Sequence, residues 1–145
     1  MRTIGGNGMG RISVDFDIAN YGDVLKVREG TLPANQVRRQ TISGIVDPGA
    51  AMLVLPPAVV KDLGLPPGDK IKVRYADGRR GQRPQAEGVY LELLGRHSTF
   101  TAVVEPKRKT ALIGAIVLEA LDLLVDCKHQ RVIPRDPKGP ICEIE

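Results

Sequence analysis

Residues 12–18 read ISVDFDI, with Ile12, Val14, Phe16 and Ile18 alternating against polar neighbours. A period of two with β-branched and aromatic residues predicts a half-buried strand. VLKV (24–27) and NQVRRQTISGIVD (35–47) predict further strands, the second becoming apolar as it approaches Asp47. PPAVVKDLGL (56–65) is punctuated as a short helix. Pro57 suits its first turn and Gly64 the left-handed position at its end. LPPGD is a turn, and KIKVRY (70–75) alternates as a strand. ADGRRGQRPQAEG (76–88) is polar and too long for a tight hairpin loop. VYLELL (89–94) and STFTAVVE (98–105) predict a strand pair joined through Gly95. PKRK makes a turn before TALIG, and AIVLEALDL (115–123) sets Ile116, Leu118, Leu121 and Leu123 around Glu119 and Asp122 as a short amphipathic helix. LVDCKHQRVIPR (124–135) reads as a closing hairpin.

This pattern amounts to eight or nine short strands and one or two short helices, without a βαβ rhythm or internal repeat. A mostly β fold in one domain follows. The expected boundaries are a flexible glycine-rich segment at 1–10, a folded domain at 11–136 and a proline-rich tail at 137–145.

Composition narrows the picture modestly. The chain has 145 residues, 42% hydrophobic and 26% charged, enough for one folded domain. Aromatics are only 3%, so the core rests on Val, Leu, Ile and Ala. A net charge of +4 permits an acidic partner, but so few aromatics make a base-stacking nucleic-acid platform a poor expectation. No apolar run is long enough to span a bilayer, and no signal-peptide pattern opens the chain. The two cysteines, Cys127 and Cys142, form no CxxC motif and are read as reduced thiols. The expectation is a soluble, cytoplasmic protein.

Candidate chemistry is sparse. GGNGMGR (5–11) has its third glycine misplaced for dinucleotide binding, with no strand before it. His97 and His129 are the only histidines and are far apart, and no cluster suggests a metal site. No metal or cofactor is expected. A carboxylate is the remaining candidate, and Asp47 in GIVDPGAAMLVLP (44–56) stands out. On its own, Asp-Pro-Gly is a good β-turn.

The wider segment resembles the active-site stretch of the retropepsin-like, retroviral-type aspartic proteases: two apolar residues, Asp-Thr/Ser-Gly-Ala, then an apolar strand. TALIGAIVLEALDLLVD (110–126) is similar to that family's second signature, with Leu112, Ile113 and Gly114 ahead of a helix. VRYADGRRGQ (73–82) lies where the family carries its flap. Order and spacing agree over residues 12–134. The resemblance implies an acid-protease fold with one lobe per chain, hence a homodimer in which each subunit supplies one Asp47. Such a pair shares a proton; the ionised member activates water and the protonated member polarises the scissile carbonyl of a peptide or protein substrate. Pro48, Gly49 and Ala50 would complete the active-site loop, with Leu112, Ile113 and Gly114 packed beneath it. Tyr75, Ala76, Asp77 and Gly78 would form the flap that meets substrate.

Pro48 departs from that family, which carries Thr or Ser there. Proline has neither the hydroxyl nor the N–H that would link the two loops across a dimer. The resemblance therefore implies a preserved fold, a looser dimer centre and impaired proteolysis, or a catalytically silent dimer that binds peptide or protein. A second resemblance, of residues 55–79 to AbrB-type swapped-hairpin DNA-binding domains, covers little of the chain. The basic clusters Arg79-Arg80-Arg83 and Lys107-Arg108-Lys109 are ordinarily solvated loop residues. On a flap, the first would favour acidic substrates.

Overall fold

The computed structural model describes residues 11–145, so the segment expected at 1–10 lies outside the described residues. The strands are β1 (Ile12–Asn20), β2 (Arg39–Val46), β3 (Leu53–Leu55), β4 (Ile71–Arg74) and β5 (Arg80–Arg83). They continue as β6 (Gln85–Leu93), β7 (Arg96–Val104), β8 (Ala111–Ile113), β9 (Leu123–Asp126) and β10 (Arg131–Pro134). The helices are α1 (Tyr21–Arg28), α2 (Pro57–Leu63) and α3 (Ala115–Leu121), with a 3-10 turn at Ala34–Gln36.

Six strands close into a barrel in the order β1-β2-β8-β3-β7-β6, and β4–β5 and β9–β10 are separate hairpins. β1 runs antiparallel to β2, with Ile12 opposite Val46 and Ala19 opposite Arg39. Closure comes from β1 against β6, with Ile18 opposite Leu91. The unusual strand is β8. It lies parallel to β2, Val46 beside Ile113, and antiparallel to β3, Val54 beside Leu112. A late segment is thus inserted between two early ones.

Alternation explains the barrel wall. Ile12, Phe16 and Ile18 of β1 are buried, while Ser13, Asp15 and Asp17 face solvent. Leu53, Leu55, Val89, Leu91, Ala102, Ile113 and Val117 are fully enclosed and build one core from short aliphatic side chains. Burying them supplies the main driving force for the fold.

Two expectations are corrected. VLKV lies in α1 rather than in a strand. Its period-two look is overridden by Asn20, whose side-chain oxygen accepts the Asp23 N–H at 3.0 Å and starts the helix. Asp23 in the first turn and Lys26 and Arg28 in the last complement the helix dipole. With this helix there are three, not one or two. The stretch at 76–88, read as too long for a tight hairpin loop, holds β5 and the start of β6. A five-residue turn suffices between Arg74 and Arg80, which face each other across the β4–β5 hairpin.

α2 follows its punctuation, with Pro57 at its start and Gly64 at φ +60° at its end. Asn20 Nδ2 donates to Leu63 O and Gly64 O at 2.9 and 3.2 Å, fastening the end of α2 to the start of α1. Arg96 is buried and donates to Leu121 O and Asp122 O at 3.0 and 2.9 Å and to Asp136 O, closing the end of α3. Residues beyond β10 touch the domain through the Ile141 N–H, which donates to Asp122 Oδ2 at 2.9 Å. Among the described residues no helix is long and apolar enough to cross a membrane.

Candidate active site

Asp47 is the first residue after β2, and the next five residues turn the chain into β3. The Ala50 N–H donates to Asp47 O at 3.0 Å, closing a β-turn with Pro48 and Gly49 at its centre. The Gly49 N–H donates to Asp47 Oδ1 at 2.9 Å, so the carboxylate also braces its own loop. Its side chain remains half-exposed. The turn preference of Asp-Pro-Gly and a presented carboxylate are compatible, because the same four residues supply both.

β8 holds this loop from below. The Asp47 N–H donates to Ile113 O at 3.0 Å, and Ile113 is 0% exposed. Leu112 sits between Ile45 of β2 and Val54 of β3. The start of α3 grips the far side of the loop, with Ala115 N–H donating to Ala50 O at 2.8 Å and Ile116 N–H to Ala51 O at 3.0 Å. Gly114 is required by this closeness. A Cβ there would stand 2.2 Å from Met52 O and 2.8 Å from Ala50 O. Asp47, Pro48, Gly49, Ala50, Leu112, Ile113 and Gly114 therefore form one corner of the barrel.

Tyr75, Ala76, Asp77 and Gly78 lie apart from that corner in sequence, at the turn of the β4–β5 hairpin. Tyr75 N–H donates to Arg79 O, and Gly78 N–H to Tyr75 O, each at 2.9 Å. Asp77 accepts from Arg79 Nε at 2.8 Å and restrains the turn from its exposed side. One hairpin face carries half-buried Ile71, Val73, Tyr75 and Arg83. That face is tied to Glu105, just past β7: Tyr75 Oη donates to Glu105 Oε2 at 2.6 Å and Arg83 Nε to Oε1 at 2.9 Å. Burial works to raise the Glu105 carboxyl, but the bonds from Tyr75 and Arg83 outweigh it and hold it below the usual range. The Glu105 bond in turn holds the Tyr75 hydroxyl protonated to higher pH.

A family model described as aspartyl protease matches residues 32–117, more than half of the chain. The chain belongs to the aspartyl protease family. Among solved structures, the EIAV protease complexed with the inhibitor HBY-793 is similar over 81% of this chain and 93% of that one. The TM-score is 0.51 and the identity 18%, a likeness of fold. No curated protein matches. The match at 32–117 contains the whole Asp47 loop, the hairpin and Gly114, and it takes in the segment on which the DNA-binding resemblance rested.

In this aspartyl protease family member, the sequence patterns did not single out Glu105, and they took Arg108 only as part of a solvated basic cluster, whereas it is half-buried. Arg108 lies in the turn between β7 and β8, its N–H donating to Glu105 O at 3.2 Å. Its guanidinium donates from Nε to Thr110 O at 2.8 Å and from Nη2 to Thr110 Oγ1 at 3.3 Å. Burial presses its ionisation down, and so does Arg11, while Glu105 and Asp47 act in the opposite sense. The bonds from Tyr75 and Arg83 to Glu105 join positions remote in sequence, and a charged residue in a polar loop carries no periodic signal to reveal them. His97 and His129 are exposed, and His129 Nδ1 lies 2.9 Å from Asp126 Oδ2, on the closing hairpin.

Proposed function

We propose that this protein is an aspartic endopeptidase of retroviral type, hydrolysing peptide bonds as a homodimer that brings two Asp47 carboxylates together. The observation that carries this reading is the Asp47 corner. A half-exposed carboxylate sits on a loop held by Ile113, at the ends of the parallel strands β2 and β8, within the family match. One chain contributes one such carboxylate, and peptide hydrolysis of this kind uses two. Across a two-fold axis, the pair holds one proton between them. The ionised Asp47 takes a proton from a water, which attacks the scissile carbonyl carbon. The protonated partner hydrogen-bonds the carbonyl oxygen and then supplies its proton as the tetrahedral intermediate forms. Collapse of that intermediate breaks the C–N bond, and a proton passes to the leaving amine. Neither metal nor cofactor takes part. In this reading residues 11–136 are the catalytic unit, residues 137–145 a tail, and the β4–β5 hairpin a flap over an extended substrate.

Pro48 tempers the activity. It fits the turn, but it brings neither hydroxyl nor N–H to the place where two such loops would meet. The missing intersubunit bonds cost about 1 kcal/mol each. The same observation supports a second reading, a dimer that binds peptide without cutting it.

The deciding experiment measures cleavage of an unstructured protein from acidic to neutral pH, alongside sedimentation equilibrium. It compares the unchanged chain, Pro48→Thr and Asp47→Asn. Endopeptidase function requires cleavage that Asp47→Asn abolishes and Pro48→Thr increases. A dimer that cleaves in none of these forms establishes the binding reading. A monomer at high concentration removes the shared-carboxylate mechanism.

A further inference from the structure

The β4–β5 hairpin is a two-stranded sheet outside the barrel. A sheet of two strands is only marginally stable alone, so its attachments decide where it stays. Its base is fastened by backbone bonds, the Gly68 N–H donating to Gln85 O at 2.9 Å and the Glu87 N–H to Pro66 O at 2.8 Å. Beyond that base, among the described residues, the hydrogen bonds and ion pairs that join residues 71–83 to the rest of the chain all end on the Glu105 carboxylate.

Glu105 is a fixed post. Its N–H donates to Leu55 O at 3.1 Å, and Leu55 is fully enclosed in the core. The preceding Val104 N–H donates to Pro84 O at 2.9 Å. The carboxylate divides its oxygens between the two sides of the hairpin. Oε2 accepts from Tyr75, which follows β4, and Oε1 accepts from Arg83, the last residue of β5. The Arg79 and Arg83 guanidinium carbons lie 4.6 and 5.6 Å from the Tyr75 ring centre, so the same ring also joins the two sides. The Arg83 and Glu105 side chains are 26% and 19% exposed, a pair sheltered from water but not sealed from it. Charge-assisted bonds in such a setting hold a small sheet and still open on thermal fluctuation.

We infer that Glu105 is a latch, a positioning residue that divides the hairpin between a latched state held at the end of β7 and a raised state with both carboxylate bonds broken. On the proposed reading of the hairpin as a flap, which this inference rests on and deepens, Glu105 regulates how often a peptide enters and leaves. The carboxylate is spent on the hairpin rather than on the peptide. Its loss therefore raises the opening frequency of free and occupied protein alike, so entry and exit both quicken while affinity changes little.

The test uses the full chain labelled with 3-fluorotyrosine. The chain has three tyrosines, and Tyr21 and Tyr90 stack on each other at 5.9 Å, which makes their signals an internal reference for Tyr75. Fluorine NMR with a soluble gadolinium chelate reads the exposure of each ring. Glu105→Gln and Arg83→Gln should each increase the exposed population of Tyr75 about tenfold, and Arg83→Lys, which keeps the charge, should increase it far less. The Tyr21 and Tyr90 signals should stay as they are. A Tyr75 signal equally sheltered in every variant overturns the inference, and so does broadening of all three tyrosines together, which marks general loosening. Stopped-flow anisotropy with a fluorescent, apolar, extended peptide follows exchange on the same proteins carrying Asp47→Asn. Association and dissociation should both quicken about tenfold in Glu105→Gln at nearly constant affinity. Unlatching with unchanged peptide rates, or with no peptide bound, leaves the latch standing and defeats the flap reading. Peptide rates that respond while the unchanged chain cuts nothing support the latch and defeat the endopeptidase reading.

Discussion

The Asp47 N–H is bonded to the carbonyl of Ile113 at 3.0 Å, so the candidate carboxylate is positioned by a strand far along the chain. Whatever disturbs the end of β8 therefore disturbs Asp47. Gly114→Ala places a methyl 2.2 Å from Met52 O, in a corner where only backbone can move. The expected loss is about 3 kcal/mol in urea unfolding, with any peptidase activity falling further than stability alone explains. Unchanged stability would mean that the loop and α3 can separate freely.

The Glu105 carboxylate ties both strands of the hairpin, through Tyr75 and Arg83, to the end of β7. Tyr75→Phe removes the 2.6 Å bond to Glu105 and leaves the ring beneath Arg79, whose guanidinium carbon lies 4.6 Å from the ring centre. Global stability should fall by about 1 kcal/mol or less, because the bond is partly open to water. Amide exchange at Tyr75 and Gly78 should quicken while exchange in β6 and β7 stays unchanged. Hydrogen-exchange mass spectrometry distinguishes this local release from general destabilisation.

Asp23 carries a pH dependence remote from the candidate site. Its carboxylate accepts from Arg38 Nε at 2.8 Å and Nη2 at 2.9 Å, and Arg38 holds its pKa down at about 2. A carboxyl with a depressed folded pKa stabilises the fold above its unfolded value, near 3.8. As pH falls from there toward about 2, the unfolded chain binds the proton first and that stability is lost. Asp23→Asn should be less stable at neutral pH and show a flatter stability profile between about pH 4 and 2. Parallel profiles in the two proteins would show that the pair contributes nothing to acid sensitivity.

Arg96 joins β7 to the end of α3 by filling backbone carbonyls with a buried cation. Arg96→Met keeps the apolar stem and leaves Leu121 O, Asp122 O and Asp136 O without this donor. The expected cost is about 3 kcal/mol by thermal or urea unfolding. A cost below about 0.5 kcal/mol would show that water replaces the guanidinium freely.

Legibility in the sequence followed the physical origin of each feature. β1 was readable because its faces differ in solvent exposure residue by residue. α2 was readable because Pro57 and Gly64 mark its two ends. α1 was not, since VLKV has the composition of a strand and its helix begins with a side-chain bond from Asn20. β5 was hidden because RGQR places Gly81 and Arg83, rather than apolar groups, on its inner face. The Asp47 corner was visible as a pair of signatures by resemblance, whereas Glu105 depends on tertiary bonds from Tyr75 and Arg83 that no local pattern encodes.

The placement of β8 between β2 and β3 also orders events in time. The turn can close its own Ala50 N–H to Asp47 O bond, but the Asp47 N–H and the Ala50 carbonyl lack their partners until residues 113–115 arrive, so the loop is not anchored while the chain is still incomplete. Closing so long a span is slow compared with forming the β6–β7 hairpin. A nascent or truncated chain that ends before α3 would hold the aspartate without the support that aims it. During synthesis, the geometry thus defers any reactivity of Asp47 until the second half of the barrel has been made.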